Sequence, residues 1–484
     1  MLSTAEIKTF IEEDYQSYKK RFARTGQRYY ESDHDIKQYR LFYYDGGGKM
    51  HEDKSRSNVK IPHPFFQEIV DQAAQYILSG KDSFVKSDDL QLQTSLDEYF
   101  NNDDFTAELY ELVTDVMTNG FGYMYAYTKE DGQTGFQCAD SLGVVEVESK
   151  YTSDGKAYVI YWYIDRIDKK NNTIKRIEVV DEEGTTFFAQ RNNGRITEDD
   201  CYRETNYRPH KTYEKDDGIY YEPLGYIPFF RVDNNKKQVS DLKAIKGIID
   251  DYDLMASSLS NNLIDFDTPI HVVKGFEGDN LDELQQNLKT KKIIGMESTD
   301  SGAGVDVKTV DVPYQARLTK LELDEKNIYK FGFAVNTAGL KDTSATTNLA
   351  IKAAYLLLDL KCNKLEIKLK QSLKKLIRIV LDEINQREKT DYQLKDVYVE
   401  FTRELPTNTQ ENAQNALTEA QEQQTRITTL LNLASQLDND TLMQNICDVL
   451  DIDYEEIKDR LPDPDEAENN LEDAAETLGG VVVE

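Results

Sequence analysis

Carboxylates are the side chains in this sequence that come closest to a chemical pattern. Asp250, Asp251 and Asp253 lie within four consecutive positions, and paired carboxylates can transfer protons or bind a divalent cation. Either kind of site needs partners that converge from other elements, and the sequence identifies none. The simpler interpretation is a solvated helix face, and an enzyme that uses a carboxylate pair stays open as an alternative.

Histidine, cysteine and glycine patterns give no stronger signal for catalysis. The histidines lack the HExxH spacing of zinc proteases, and no GxxxxGK[ST] phosphate loop occurs, so we do not expect ATP hydrolysis by this chain. No cysteine pair has CxxC spacing, which favours reduced, mostly buried thiols over zinc ligands. We expect no catalytic residue, no metal and no cofactor. The residues considered are His34, His51, His63, His210, His271, Cys138, Cys201, Cys362 and Cys447.

The charge of the chain restricts its partners. The 484 residues contain 89 Asp and Glu against 58 Lys and Arg, a formal net charge of −31. Such a chain is not a conventional duplex-DNA binder that gains affinity by neutralising phosphates. It could still be a protein past which DNA slides without sticking. Membrane insertion is not expected, because the longest uncharged apolar stretch of the strand-like region, Ala157–Ile164, is far shorter than the roughly 18 residues that a spanning helix needs. The N-terminus has no basic and apolar signal segment.

Hydrophobic spacing changes from helical to strand-like within the first half. Apolar residues three and four positions apart predict helices near residues 7–18, 65–77 and 104–118. From Tyr123 onward, segments rich in Tyr, Val, Ile and Phe alternate with turn pairs such as Asp-Gly and Asn-Asn, which predicts an antiparallel meander. Its strands are Tyr123–Tyr127, Gly143–Glu148, Ala157–Ile167, Thr173–Val180 and Thr185–Gln190.

The second half is predicted to be mainly helical. One long helix with a narrow apolar stripe opens it, which is typical of packing in a bundle or between subunits. A small α/β unit lies between this helix and the next, and Pro269 and Pro313 mark its ends. Its strands are Ile270–Lys274, Lys292–Met296 and Val305–Val310, and its helix is Leu281–Leu288. The long helices are Val239–Phe266, Tyr314–Phe331, Asn348–Arg387, Thr409–Leu437 and Asp440–Leu450.

A basic stripe follows the helix Asn348–Arg387. Its residues recur at helical spacing opposite an apolar face that contains Leu365, Leu369 and Val380. Two interpretations stay open: a solvated helix face, or a face that meets acidic neighbours or a polyanion. The basic residues are Lys361, Lys364, Lys368, Lys370, Lys374, Lys375 and Arg378.

Four segments, in order along residues 55–405, carry a family resemblance: Asn58–Gly80, Ile227–Asp253, Met255–Gly275 and Thr346–Leu360. Together with the α/β insert between two helices, they resemble the portal (connector) proteins of tailed bacteriophages, in the group from phages of Gram-positive hosts. The resemblance implies an α+β portal fold. Its parts would be a wing of helices and a β-meander (1–235), a stem of two helices (236–266 and 314–335), a clip (267–313), a tunnel loop (336–347), a long tunnel helix with a strand returning to the wing (348–408), a helical crown (409–461) and an acidic, poorly ordered tail (462–484).

The resemblance also implies a non-enzymatic function. About twelve copies would form a ring at one capsid vertex of the virion, assembled in the cytoplasm of the host bacterium. Double-stranded DNA would pass through the ring without sequence specificity during packaging and ejection. The expected partners are further copies of the chain, terminase, the major capsid and scaffolding proteins, and a head–tail adaptor. Another viral ring or adaptor protein remains an alternative.

Three groups of residues are expected to carry this function. The tunnel loop would face DNA with Gly339, Leu340, Lys341, Asp342, Thr343 and Ser344. The clip would dock terminase or an adaptor with Glu277, Asp279, Asp282, Glu283, Lys289, Lys291 and Lys292. Stem packing in the ring would use Leu242, Ile245, Ile249, Leu259 and Leu263.

Overall fold

The structure is a computed structural model that describes residues 2–54, 56–80, 83–129, 132–149, 155–167, 172–199, 206–215, 218–266, 270–274, 304–308, 313–337, 348–405 and 409–458. Helices and antiparallel sheets are both present, so the expected α+β class is confirmed. The chain divides into two compact units. One consists of Met1–Asp342 with Ala353–Glu404, and the other of Thr343–Lys352 with Leu405–Glu484.

Two helices open the larger unit, α1 (Thr4–Gln16) and α2 (Tyr18–Tyr30). The Ser3 hydroxyl accepts a hydrogen bond from the Glu6 backbone, and the Glu6 carboxylate accepts one from the Ser3 backbone at 2.8 Å. This reciprocal pair is a capping box, which satisfies amide groups that the first turn leaves free. The short strands β1 (Phe42–Tyr44) and β2 (Met50–Glu52) follow as a hairpin.

Three helices form the next layer: α3 (Phe65–Ile77), α4 (Leu90–Phe100) and α5 (Asp103–Asn119), with strand β3 (Val85–Lys86) before α4. α3 and α5 lie where the apolar spacing predicts helices, whereas α4 lies in a segment for which no helix was predicted. The Asn102 side chain accepts from the Phe105 backbone and so caps α5, which ends at Gly120 in the left-handed conformation.

The strand-rich region forms two principal sheets rather than one meander. The larger sheet has the order β10-β9-β8-β7-β6, and β11 also pairs with β9. The smaller has the order β14-β4-β5, because Phe229–Asp233 returns to pair with Phe121–Tyr125. β12 and β13 form a separate hairpin. The strands are β4 (Phe121–Thr128), β5 (Thr134–Ala139), β6 (Val144–Glu148), β7 (Lys156–Ile167), β8 (Thr173–Val180), β9 (Gly184–Arg191), β10 (Ile196–Glu198), β11 (Tyr207–Pro209), β12 (Lys211–Lys215), β13 (Gly218–Glu222) and β14 (Phe229–Asp233).

The single predicted meander is therefore wrong in two respects. Strand β5, in the segment between the first two predicted strands, was not anticipated. The first predicted strand joins the smaller sheet, since its outer partner comes from about 100 residues further along the chain. Such a long-range pairing leaves no trace in local hydrophobic alternation. The predicted strands Gly143–Glu148 through Thr185–Gln190 do form consecutive antiparallel neighbours.

Helices α1 and α2 cover the sheets. Ile7 and Ile11 of α1 pack with Ile160, Ile177 and other residues of the larger sheet. Ala23 of α2 packs in a second cluster that combines strands of both sheets. At roughly 25 cal/mol per Å² of apolar surface, this burial is the main favourable contribution to folding of the layer.

The remaining elements follow the predicted order. They are α6 (Leu242–Phe266), β15 (Ile270–Lys274), β16 (Gly304–Lys308), α7 (Tyr314–Gly332), α8 (Asn348–Glu388) and β17 (Tyr398–Val399), then α9 (Thr409–Asn432), α10 (Asn439–Leu450) and α11 (Tyr454–Ile457). β15 pairs with β16, and β17 pairs with β3. The predicted elements Leu281–Leu288 and Lys292–Met296 and the tail 462–484 lie outside the described residues. In the part of the chain that the structure describes, no helix is both long and apolar enough to span a bilayer.

Two glycines permit close backbone approaches that fix the start of α6. A Cβ atom on Gly26 of α2 would lie 2.0 Å from the carbonyl oxygen of Thr118 in α5. Gly120 has a φ of +91°, and a Cβ atom on it would lie 2.4 Å from the carbonyl carbon of Val239. The larger side chain of any other residue would push α2, α5 and the loop before α6 apart.

Candidate functional site: the anchor of helix α6 and the outer face of helix α8

Helix α6 starts from a loop that is bound to the end of α5. The Ser240 hydroxyl donates to the Met117 carbonyl at 3.2 Å and accepts from the Leu242 amide at 3.1 Å. The backbone amide of Asp241 donates to the same Met117 carbonyl. These bonds fix the direction in which α6 leaves the α5 layer.

Asp253, near the middle of α6, is fully buried. Its carboxylate accepts hydrogen bonds from His34 Nδ1 at 2.6 Å, from His63 Nδ1 at 2.9 Å and from the His63 backbone amide at 3.0 Å. A buried carboxylate is tolerated when donors of this kind replace its hydration. The prediction of a solvated helix face is therefore wrong for Asp253, because two histidines about 190 and 220 positions away cover it.

Asp250 binds the N-terminal helices through a mixed network. Lys246 Nζ lies 2.7 Å from Asp250 Oδ2 and 2.6 Å from Asp35 Oδ2, and the Tyr29 hydroxyl donates to Asp250. Partial burial disfavours the charge of Lys246, but its bonds to Asp250 and Asp35 outweigh that effect and raise its pKa above the ordinary value. The network thus joins α6 to α2 and the turn after it.

Asp251 joins α6 to α7. Lys320 Nζ of α7 lies 2.5 Å from Asp251 Oδ2 and also contacts Asp324 one turn further along its own helix. The side chain of Asp251 is 46% exposed, so this pair is a surface ion pair of modest energy. The three carboxylates that seemed the best chemical pattern are thus structural connections to three different neighbours. No group of three or more potential metal ligands occurs among the described residues.

The stem-packing residues predicted on α6 divide into two sets. Leu242, Ile245 and Ile249 are fully buried within the chain itself. Leu259 is half-buried, whereas Leu263 is 53% exposed. Only the second set leaves apolar surface that a neighbouring chain could cover, and the role of all five residues in ring packing stays a prediction.

Helix α8 has the predicted apolar face. Leu365, Leu369 and Val380 are buried, with Leu373, Leu376 and Ile377 on the same side. The helix lies along α3 and α4, as the Cys362 Sγ contact to the Ala73 carbonyl and the 2.9 Å bond from the Tyr99 hydroxyl to Glu383 show. The opposite side of α8 carries the basic stripe.

The basic stripe itself is not uniform. Lys361 turns inward to Asp241 at 2.8 Å and to the Gly332 carbonyl at 3.3 Å, and Lys370 pairs with Glu366 one turn away. The other basic residues are exposed: Lys364, Lys368, Lys374, Lys375 and Arg378. Both pairs are contacts with acidic side chains of the same chain. For these two lysines, the structure favours the interpretation of a face that meets acidic neighbours.

Two predicted site groups cannot be placed. The tunnel-loop residues Gly339–Ser344 lie outside the described residues, as do all seven clip residues from Glu277 to Lys292. Their neighbours are described: β15 and β16 pair at the base of the predicted clip, and Asn336 donates to Glu325 of α7 at 2.9 Å.

One buried cation was missed by the sequence reasoning. Lys20 of α2 is only 1% exposed, and its ammonium group donates to the carbonyls of Ser141, Leu142 and Val144 at 2.7–3.0 Å. Burial lowers its pKa to about 8, with Asp14 acting in the opposite direction. Lys20 stands at the helical spacing of Ala23 and Gly26, so its position on the buried face was a signal in the sequence. The carbonyl cluster shows that its role is structural.

Two of the described thiols, Cys138 and Cys362, are poor nucleophiles. Burial raises the pKa of Cys362 to about 12 and also raises that of Cys138 well above the ordinary value, so neither is a ready thiolate. Cys138, Cys362 and Cys447 are not in disulfides. Cys201 lies outside the described residues.

A family model described as "Phage portal protein, SPP1 Gp6-like" matches residues 9–469. The chain belongs to this family of phage portal proteins. The portal protein of Bacillus phage SPP1 is 27% identical over 394 residues, which cover 81% of this chain and 76% of the relative. The portal protein of Clostridium phage phiCD119 is 32% identical over 189 residues, or 39% of this chain and 41% of that relative.

Family membership decides between the function classes that the sequence left open. A portal protein is a structural component of the phage particle, associated with the capsid as an oligomeric ring, and is not an enzyme. Asp250, Asp251 and Asp253 of α6 each bind side chains of the same chain, as the structural connections described above.

Proposed function

We propose that about twelve copies of this portal protein close into a ring at one capsid vertex, and that the ring is the channel for double-stranded DNA during packaging and ejection. The match to the portal family over residues 9–469 carries this proposal. The net charge of −31 supports it, because an acidic wall repels phosphate and lets DNA slide where a basic wall would retain it.

Each part of the chain has a place in this ring. Residues 1–235 are the wing, helices α6 and α7 are the stem, and residues 267–313 between them are the clip. Residues 336–347 are the tunnel loop, α8 is the helix behind it, and residues 409–461 are the crown. The network that joins Asp250, Asp251 and Asp253 to three neighbours supports a rigid stem, since it fixes α6 to both the N-terminal helices and α7.

The clip docks the packaging terminase and later the head–tail adaptor. Its sequence combines acidic and basic residues within a short segment, and such mixed charge favours specific protein contacts. Reversal of the charges at Glu277, Asp279 and Asp282 should leave rings and capsids intact and stop packaging. Normal DNA packaging by the reversed variants would refute docking through these residues.

The tunnel loop follows the moving DNA. Its small and hydroxyl side chains allow the backbone to change conformation, and Lys341 beside Asp342 gives a weak contact to phosphate. A Thr343→Cys variant, oxidised so that neighbouring loops crosslink, should assemble into rings and stimulate the terminase ATPase but package DNA much more slowly than its reduced form. Equal packaging rates before and after crosslinking would exclude a channel-lining loop.

Capsid and scaffolding proteins bind the outside of the ring during assembly, which takes place in the host cytoplasm before the particle is complete. The experiment that tests the whole proposal is DNA packaging in a reconstituted mixture of terminase, capsid precursor and portal protein. Packaging should require the portal protein, and equal packaging without it would overturn the proposal.

A further inference from the structure

The outer face of helix α8 combines apolar and basic side chains. Leu356, Leu360 and Ile367 are 56%, 53% and 59% exposed. Lys364, Lys368 and Lys374 are exposed among them. Spacings of three, four and seven residues bring all six to one side of the helix. We call these six residues the outer face of α8.

The lysines of the outer face differ from the basic residues beside them. Lys361 and Lys370 are paired with Asp241 and Glu366. In the part of the chain that the structure describes, Lys364, Lys368 and Lys374 have no hydrogen bond or ion pair with another residue. Exposed leucine and isoleucine side chains between unpaired charges are typical of an interface that a protein covers.

The same chain contains a surface of opposite charge. Residues 61–120, which include α3, α4 and α5, contain twelve Asp and Glu against two Lys and no Arg. On α5, Asp104 and Glu111 are exposed with Ala107 between them, and their spacing of seven residues places them on one side. We call Asp104, Ala107 and Glu111 the acidic face of α5.

We infer that the outer face of α8 binds the acidic face of α5 on the next copy of the chain in the ring. The inference rests on the proposed ring. Two different surfaces that meet in this way form a heterologous contact, which closes into a ring when the rotation between copies is right. Chains that each carry −31 repel one another, and pairing of a basic face with an acidic face gives them one local attraction and fixes their orientation.

DNA is the other polyanion that a row of lysines could meet. The composition of the outer face favours protein, because surfaces that bind DNA are more polar and more strongly basic than protein interfaces. Three of the six outer-face residues are large aliphatic side chains, which offer nothing to phosphate.

A charge-swap series tests the contact. Lys364→Glu with Lys368→Glu should lower the fraction of chains in rings at least tenfold, measured by native mass spectrometry. Asp104→Lys with Glu111→Lys should do the same. All four substitutions in one chain should restore rings, since each contact then has the opposite pair of charges. The control is Arg191→Glu with Arg195→Glu, two exposed residues at the edge of the larger sheet, which changes the charge equally and should leave rings intact.

A second variant separates interface loss from unfolding. Leu360→Ser with Ile367→Ser changes only side chains that are more than half exposed. It should keep the helical circular dichroism of the wild type and form rings only at about tenfold higher concentration.

Normal ring assembly by both this variant and the Lys364 and Lys368 variant would overturn the inference while the proposed ring stands. A Lys364 and Lys368 variant that forms normal rings but binds a fluorescent 30-base-pair duplex less tightly would assign the face to DNA and also overturn it. Failure of the wild type to form rings would refute the proposed function itself.

Discussion

His34 Nδ1 and Asp253 Oδ2 lie 2.6 Å apart with both side chains fully buried, although 219 positions separate the two residues in the sequence. The pair joins the segment after α2 to the middle of α6. His63 approaches the other carboxylate oxygen of Asp253, so one acidic residue holds two separate segments of the N-terminal region against α6.

Replacement of Asp253 by Asn should destabilise the larger unit strongly. The amide has a single acceptor oxygen, so it can accept from His34 or from His63 but not from both, and one donor loses its acceptor. A buried donor left without an acceptor costs about 1–3 kcal/mol. Urea unfolding followed by circular dichroism measures the loss. The matched control is Asp251→Asn, whose pair with Lys320 is largely exposed and should contribute about 1 kcal/mol or less. Equal stability of the Asp253 variant and the wild type would contradict the structure.

Gly26→Ala should destabilise the chain although alanine favours helix. The added Cβ would lie 2.0 Å from the Thr118 carbonyl oxygen, so α2 and α5 must separate, at a cost of about 2 kcal/mol or more. Gly247→Ala in α6 is the control, because its Cβ meets no atom within 4 Å, and the helix should gain up to about 1 kcal/mol. Thermal unfolding should therefore shift in opposite directions for the two variants. If the unfolding temperatures of both variants shifted in the same direction, the close contact between α2 and α5 described here would be refuted.

The stability of the chain should carry a pH signature of Asp115. Burial raises the pKa of this carboxyl to about 7 from 3.8, even though the Ser141 hydroxyl donates to it at 2.6 Å. Between those two values the folded chain binds a proton that the unfolded chain releases. The contribution of Asp115 is therefore most favourable below about pH 4 and is lost as the pH rises through about 7.

Asp115→Asn removes this dependence. Relative to the wild type, the variant should gain about 4 kcal/mol of unfolding free energy between pH 4 and pH 8, since each unit of the pKa difference corresponds to about 1.4 kcal/mol. Asp103→Asn, at an exposed position of the same helix, should follow the wild-type profile. Parallel profiles for the Asp115 variant and the wild type over this range would rule out a raised pKa for Asp115.

Local patterns predicted the elements of the fold better than the contacts between them. The strand Thr173–Val180 occurs with the predicted bounds, and Leu365, Leu369 and Val380 form the predicted buried face of α8. Both depend on side-chain periodicity within one element. The pairing of Phe229–Asp233 with β4 joins residues about 100 positions apart in the sequence. The periodicity of side chains within one strand does not indicate which distant strand it pairs with.

The candidate site shows the same division. Asp250, Asp251 and Asp253 were recognised as an unusual group, but the partners that explain them, among them His34, His63 and Lys320, come from distant segments. Their roles therefore became visible only with the tertiary structure. Lys20 is different, since its place on the apolar side of α2 was readable in the sequence. A lysine at such a position indicates a buried ammonium group that donates to acceptors such as carbonyl oxygens.

The central claim is that this chain closes into a ring with a channel for DNA. Electron microscopy of the purified protein, viewed along the ring axis and combined with native mass spectrometry, tests it most directly. The account predicts closed particles of about twelve copies with a central opening wide enough for duplex DNA. Monomers, or compact oligomers without an opening, at concentrations well above those of assembly in the cell would contradict it.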